Sequence, residues 1–377
     1  MRRISRRLKR LLPLVALASI LAVTAGYSLR PLDPGDGQAP AFAPVRGLAR
    51  WDAGWYVSIA KEGYWYKGPN VQSSVAYFPG YPLTIRALAF LGFNRYYAGE
   101  LLSLICGLAA VVVFSRWEKK LRARAQLPPG DTGTFALLLY PFIFYFFGVI
   151  YADGLALLLT VGAFLALEED HPVLATALGA LATFCRPIAP ALVVGLLARS
   201  VELRRRAGLP LRLLDLLPAF AGLGFAAYLG FLQFTFDDAF AFAHVQSAPG
   251  WDQTPGWHTW LKVSFFKTIF PRVAPMVAVR LFGHALATFG ALALCVPTWR
   301  KLGVGYGLYC LIAVALPALS SKDFHSLGRY VMAAFPLFLI LGLILEERPR
   351  LRRVWLIVST ALMLAIAFEF GAGAYVA

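Results

Sequence analysis

Charge is scarce in this chain. Only 15% of its 377 residues are Asp, Glu, Lys or Arg, 59% are hydrophobic, and mean hydropathy is +0.64. A water-soluble domain of that composition would expose large apolar patches and aggregate, which excludes a soluble enzyme or binding module. Also missing is any polar stretch long enough for a separate soluble domain, so one integral membrane domain over residues 1–377 is expected. Cysteine is rare: Cys106, Cys185, Cys295 and Cys310 lie in or beside apolar runs, and no two form a CxxC pair. Neither a metal knuckle nor a loop disulfide is indicated. Acidic residues number 20 against 36 basic ones, a net charge of +16. In a soluble protein that excess would suggest nucleic acid. Here the basic residues cluster in short segments between apolar runs, which is a topology signal and implies no nucleic-acid partner.

What the chain does contain is apolar runs long enough to cross about 30 Å of hydrocarbon. The first, residues 11–29, follows Arg2, Arg3, Arg6, Arg7, Lys9 and Arg10 and lacks a clear cleavage site, so it reads as an uncleaved helix with a cytoplasmic N-terminus. Further spans are expected at 96–115, 133–151, 154–167, 213–236, 273–296, 303–319, 330–346 and 354–371. The run 173–198 is broken by Arg186-Pro187. A single span there would leave Arg199, Arg204, Arg205, Arg206 and Arg212 outside, so two short helices meeting at Arg186 are expected, with Arg186 facing a cavity. The result is an all-α polytopic protein of about eleven transmembrane helices, integral to the plasma membrane. Segments 30–95 and 237–271 are its long external loops, the first carrying interfacial helices too short to span.

Polar residues that membrane burial would penalise gather at the outer face. Asp52, Arg86, Asp153, Arg186, Gln246 and the loop from Ser320 to Arg329 all fall there, which points to an external site. Each has a plainer reading. Asp52 serves as well as a helix cap, and Asp153 sits equally well as a cap or as a functional acid. Trp51, Trp55 and Tyr56 suit an aromatic belt, and Arg86 is expected to snorkel to lipid phosphates. His325 has no second ligand at metal spacing, so no metal site is expected there. Arg186 is harder to place as filler, because a cation between two apolar helices needs water or an anion.

A family resemblance rests on these residues. Trp51-Asp52 with Tyr56, Ile59-Ala60 with Gly63-Tyr64, and Ala76-Tyr77-Phe78-Pro79 with Tyr81-Pro82 resemble the ordered motifs of the PIG-V type of GPI mannosyltransferase. Farther on, Tyr151-Ala152-Asp153, the stretch from Ala182 to Pro187, and Arg329-Tyr330 with Ala333 to Pro336 resemble that family's later motifs, in the same order. Two positions depart: Trp55 stands where the family usually has histidine, and Asp153 where it has glutamate. The resemblance implies a GT-C glycosyltransferase, in which an acid of the first external loop serves catalysis and the sugar, most simply mannose, comes from a polyprenyl phosphate.

On that reading Asp52 is the general base of a single inverting displacement, and phosphate is already a good leaving group, so no second carboxylic acid is required. Arg186 and Arg329, helped by Lys322 or His325, would bind the donor phosphate. Trp51, Tyr56, Tyr64, Asp153, Gln246 and Trp251 are the candidate sugar and acceptor contacts. The acceptor is a glycan, a lipid or a protein at the outer face, and assistance from a divalent metal is left open. Heavy use of arginine over lysine and short loops suit a bacterial chain and a cell-envelope acceptor. The competing expectations are a lipid or solute transporter, which a broken helix would also serve, and a non-catalytic subunit of a glycan-assembly complex.

Overall fold

The computed structural model describes residues 5–29, 40, 42–269 and 275–376, and its regular elements are all helical. The first helix is α1 (Arg6–Leu29). Segment 30–95 then holds three short helices, α2 (Ala43–Leu48), α3 (Asp52–Glu62) and α4 (Gly80–Phe90). Its residues 30–39 and 41 lie outside the described residues. The long α5 (Arg95–Arg124), capped by the Asn94 side chain accepting the Tyr96 N–H at 2.9 Å, leads to α6 (Thr132–Leu138). Next come α7 (Asp153–Glu168), α8 (Pro172–Cys185), α9 (Ala189–Arg206), and a 3-10 turn over Leu213–Gly222 that runs into α10 (Leu223–Phe236). Segment 237–271, whose last two residues are outside the described ones, contains α11 (Ala241–His244), α12 (Trp257–Trp260) and α13 (Val263–Ile269). The chain continues as α14 (Pro275–Leu302), α15 (Val304–Ser320), α16 (Leu327–Tyr330), α17 (Pro336–Glu347) and α18 (Pro349–Gly371).

Among the described residues, five helices are long and apolar enough to cross a membrane: α1, α5, the continuous Leu213–Phe236 segment, α14 and α18. A sixth is added if Leu327–Ala333 and Pro336–Glu347, bent by 92°, form one broken span. This is the architecture of a multi-pass helical membrane protein. Not every expected crossing has a helix of spanning length. α8 and α15 are apolar but have 14 and 17 residues, and α7 has 16. The expected span 133–151 is not one continuous helix. α6 stops at Leu138, shortly before Pro141, whose missing N–H cannot continue the ladder, and the chain passes through a 3-10 turn at Ile143–Phe146 and Gly148 at φ 99°. Residues 142–147 are almost wholly buried, so this irregular backbone is shielded by protein rather than lipid.

The break at Arg186-Pro187 takes the expected form. α8 ends at Cys185 and α9 restarts at Ala189, and the ion pairs show that the two run in opposite directions. Glu168, at the end of α7, pairs with Arg199 of α9 at 2.6 Å and with Arg124 of α5 at 3.0 Å, while Asp153, at the start of α7, pairs with Arg186 at the α8–α9 junction. The bundle therefore has two charged ends. At the Glu168 end, buried Glu118 accepts the N–H groups of Gly133 and Thr134 at 3.1 and 2.7 Å, capping α6, and Arg122 joins it to Glu346. Those partners are what make a fully buried carboxylate tolerable.

α1 and α18 cross with backbones almost touching. A Cβ on Gly26 would lie 2.0 Å from the Phe368 carbonyl oxygen, and one on Gly371 would lie 1.9 Å from that of Val23. Gly26→Ala is expected to destabilise the protein by about 1–3 kcal/mol through overpacking. Thermal unfolding of the detergent-solubilised variant measures this, and an unchanged midpoint would contradict the crossing. Next to this crossing, the buried Arg50 donates from Nη2 to the Gly371 carbonyl at 2.7 Å. The chain entering α3 is thereby moored to the C-terminus of α18, where carbonyls and helix dipole favour a cation.

Candidate active site

Asp52 is the first residue of α3, and Trp51 before it has φ 55° and ψ −114°. For a bulky residue that backbone is an outlier with a typical cost of about 1–3 kcal/mol, held here by what surrounds it. The Asp52 N–H donates to the Tyr151 hydroxyl at 3.2 Å, and the Tyr77 hydroxyl donates to the Asp52 carboxylate at 3.2 Å. The side chain thus makes no cap bond. Its second oxygen faces Arg329 Nη1 at 3.7 Å.

Arg329 lies on the one-turn α16, behind Ser326 in left-handed backbone at φ 65°. It links two acids. Its Nε is 4.0 Å from the Asp153 carboxylate, which also takes Arg186 as a direct ion pair. Four residues from distant parts of the sequence therefore form one chain of alternating charge, Asp52–Arg329–Asp153–Arg186. Tyrosines wall it in. The Arg329 guanidinium lies 5.1, 4.9 and 5.1 Å from the rings of Tyr145, Tyr151 and Tyr330, and Arg186 lies 5.0 Å from Tyr330. The interior members are closed off, with the side chains of Arg329 and Asp153 only 3% and 7% exposed. The outer members are open, at 22% for Asp52 and 21% for Arg186. Arg329 Nε and Nη1 are buried and within ion-pair range of Asp153 and Asp52, but neither makes a hydrogen bond among the described residues. Burial pushes the Asp52 carboxyl above its ordinary value of 3.8. Arg329 and the Tyr77 hydroxyl pull it back down, and Asp153 adds to the rise.

The other expected site residues separate into two groups. Tyr56 is 9% exposed and packs T-shaped against Tyr77 and Tyr81, so little of its ring is left for a ligand. Trp51 is 45% exposed, with its ring edge-on to Tyr375, which in turn stacks on His325. Trp251 packs on Trp55 and Tyr77 beside the acid. Tyr64 is not a contact of the Asp52 cluster: it donates to the Tyr77 carbonyl at 2.8 Å and packs on Tyr228 and Phe231, a covering role for α10. Gln246 is spent inside its own loop, accepting the Gln253 N–H through its backbone carbonyl and donating to the Phe242 carbonyl. Lys322 is tied to Asp252 at 3.2 Å and His325 to Asp323 at 3.5 Å, so neither joins Arg186. Arg86 does not reach outward to lipid. It donates to the carbonyls of Ile59 and Ala60 at 2.8 and 2.9 Å, closing the C-terminus of α3.

Sequence reasoning missed the tyrosines that wall in the charged cluster. Tyr77, Tyr151 and Tyr330 stand in the motifs that carry the family resemblance, which do not reveal their partners, and nothing local marks Tyr145 or Tyr375. Among the described residues no group of three His, Cys, Asp or Glu side chains comes together as a metal site. In comparisons with protein-family models and with curated proteins, this chain has no match.

Proposed function

We propose that this protein is a membrane glycosyltransferase of GT-C-like architecture that moves a sugar, most simply mannose, from a polyprenyl phosphate to an acceptor hydroxyl at the outer face of the plasma membrane. The single observation that carries the reading is the Asp52–Arg329–Asp153–Arg186 chain, with a base open at one end and a cation open at the other. A phosphate leaving group needs a cation it can reach, and Arg186 is partly exposed. Arg329 adds a second positive charge between Asp153 and Asp52. An attacking hydroxyl needs a base with an elevated pKa, and burial gives Asp52 that property. In the reaction the acceptor oxygen attacks the anomeric carbon, Asp52 takes its proton, and the bond from carbon to phosphate oxygen breaks with its electron pair leaving on phosphate.

Charge placement weighs against a transporter. A broken-helix transporter places its charges near the bilayer midplane, whereas here Glu118, Glu168 and Arg199 lie at one end of the bundle and the Asp52 chain at the other. The orientation with a cytoplasmic N-terminus and the count of about eleven crossings belong to the same proposal, since arginine-rich ends of α5 and α9 suit the cytoplasmic side.

The reading is tested with purified protein in liposomes, supplied with radiolabelled polyprenyl-phosphate mannose and envelope lipid and glycan extract. Label should move to acceptor. If no donor is consumed with native acceptors present, the protein is a non-catalytic subunit and the proposal fails. The pH profile gives a second check. Asp52 acts only when ionised, so transfer declines as pH falls through its raised pKa. The Tyr77 hydroxyl stabilises the charged form, and Tyr77→Phe therefore raises that pKa further. The acid limb of the rate profile should shift to higher pH, and a shift to lower pH would contradict the assigned base.

A further inference from the structure

We infer that the aromatic cluster beside Asp52 is a binding site for the pyranose ring of a carbohydrate acceptor, an inference that rests on Asp52 being the base. Trp55 lies one turn along α3 from Asp52 and so shares its face. Tyr77, whose hydroxyl holds the Asp52 carboxylate, stacks on Trp55 at 5.6 Å and 18° between planes. Trp65 and Trp251 approach Trp55 at 6.1 and 5.9 Å, with Lys67 5.7 Å from the Trp65 ring. All four rings are half-buried, each keeping part of its surface open.

Belt tryptophans face lipid singly. Trp257 and Trp260, each 58% exposed, fit that description. Trp55, Trp65 and Trp251 instead come together from three separate segments, with Trp55 and Trp251 packed on Tyr77, whose hydroxyl holds the Asp52 carboxylate, and the last is delivered by a loop fixed on both flanks. Gln72 donates to the Pro249 carbonyl at 2.9 Å, and Lys322 binds Asp252 and, through its N–H, the Gln253 side chain at 2.7 Å. Between these anchors Gly250 at φ 94° and Asp252 at φ 52° make the tight turn that carries Trp251 inward. Rigid rings of this kind offer an apolar face at low entropic cost, matching the axial C–H face of a sugar, while the adjacent carboxylate meets one of its hydroxyls. The ligand class this selects is a glycan or the sugar of a glycolipid, ahead of a peptide side chain.

The test uses Asp52→Asn protein in nanodiscs, in which binding is read without turnover, with saturation-transfer NMR to methyl α-mannopyranoside, methyl β-glucopyranoside and a threonine-containing peptide. Saturation should reach the axial ring protons of at least one glycoside. Trp55→Ala and Trp251→Ala should each weaken binding at least about tenfold, and the exposed control Trp257→Ala, outside the cluster, should not. Thermal midpoints monitor folding; if Trp55→Ala fails to fold, the loop variant Trp251→Ala decides. Glycoside signal no greater than in empty nanodiscs, or signal untouched by both variants, overturns the site. The outcomes also separate this inference from the transferase reading. Transfer to a peptide hydroxyl without glycoside binding overturns the sugar site alone, and glycoside binding by a protein that consumes no donor overturns the transferase alone.

Discussion

Asp52→Asn should lower sugar transfer by about 10²- to 10⁴-fold, the usual contribution of a positioned general base, while leaving the protein folded. The substitution is close to isosteric. The amide oxygen still accepts from Tyr77, the backbone N–H still donates to Tyr151, and Arg329 keeps Asp153 as a counter-charge. What disappears is the capacity to take a proton. Donor binding, for which Arg186 at the other end of the chain of charges is proposed, should persist. The loss is therefore expected in kcat, with KM for the donor little changed, a pattern that identifies an interaction made in the transition state. An Asn variant that transfers at the parent rate would end the general-base assignment.

Arg329→Met should be the most destabilising single substitution in the site. Removing one member of a buried ionic network leaves uncompensated charge and costs about 3–5 kcal/mol. The cost is not shared evenly. Asp52, 22% exposed, gains partial relief from solvent, whereas Asp153, 7% exposed, depends on its cations. Arg186 still serves Asp153, so the lower half of that range is the expectation. Arg329→Lys should recover part of the loss, because it restores the charge but not the planar group held against Tyr145, Tyr151 and Tyr330. Adding Asp52→Asn to Arg329→Met removes the charge left without a cation and should raise stability above the single variant. Chemical denaturation in detergent measures all three, and an Arg329→Met protein as stable as the parent would show that the network is not what holds the site.

Much of the site was legible in the sequence because charge in an apolar chain is conspicuous. Asp52, Asp153, Arg186 and Arg329 stood out as ions that lipid would penalise, and sign-counting along the chain put them on one face. The structure brings all four into a single series of contacts. The break at Arg186-Pro187 was legible for the same reason, since the arginines after it had to return to the other end. Tyrosine gave no such signal. Its hydroxyl is too small a polar fraction of an aromatic body to disturb hydropathy, so Tyr145 and Tyr330 read as ordinary apolar filling. The segment 133–151 misled because composition reports how apolar a stretch is and not whether its ladder is continuous. Pro141 was visible, but the surrounding protein that makes an irregular path affordable was not. Arg86 failed through a similar gap, because the carbonyl groups it closes belong to a helix end about 26 residues away in the chain, which no local pattern reveals.

The mooring of Arg50 to the Gly371 carbonyl carries a consequence for biogenesis. These two residues are separated by 321 positions, and Arg329 also enters late. During synthesis the segment bearing Asp52 emerges early and must wait while most of the polypeptide is inserted before either its anchor or its counter-ion exists. A ribosome stalled between α9 and α16 holds a nascent chain with two acids and a single arginine, so the apparatus stays unassembled until the final helices arrive. Quality control in the membrane would thus be able to distinguish complete from interrupted products by the fate of one loop.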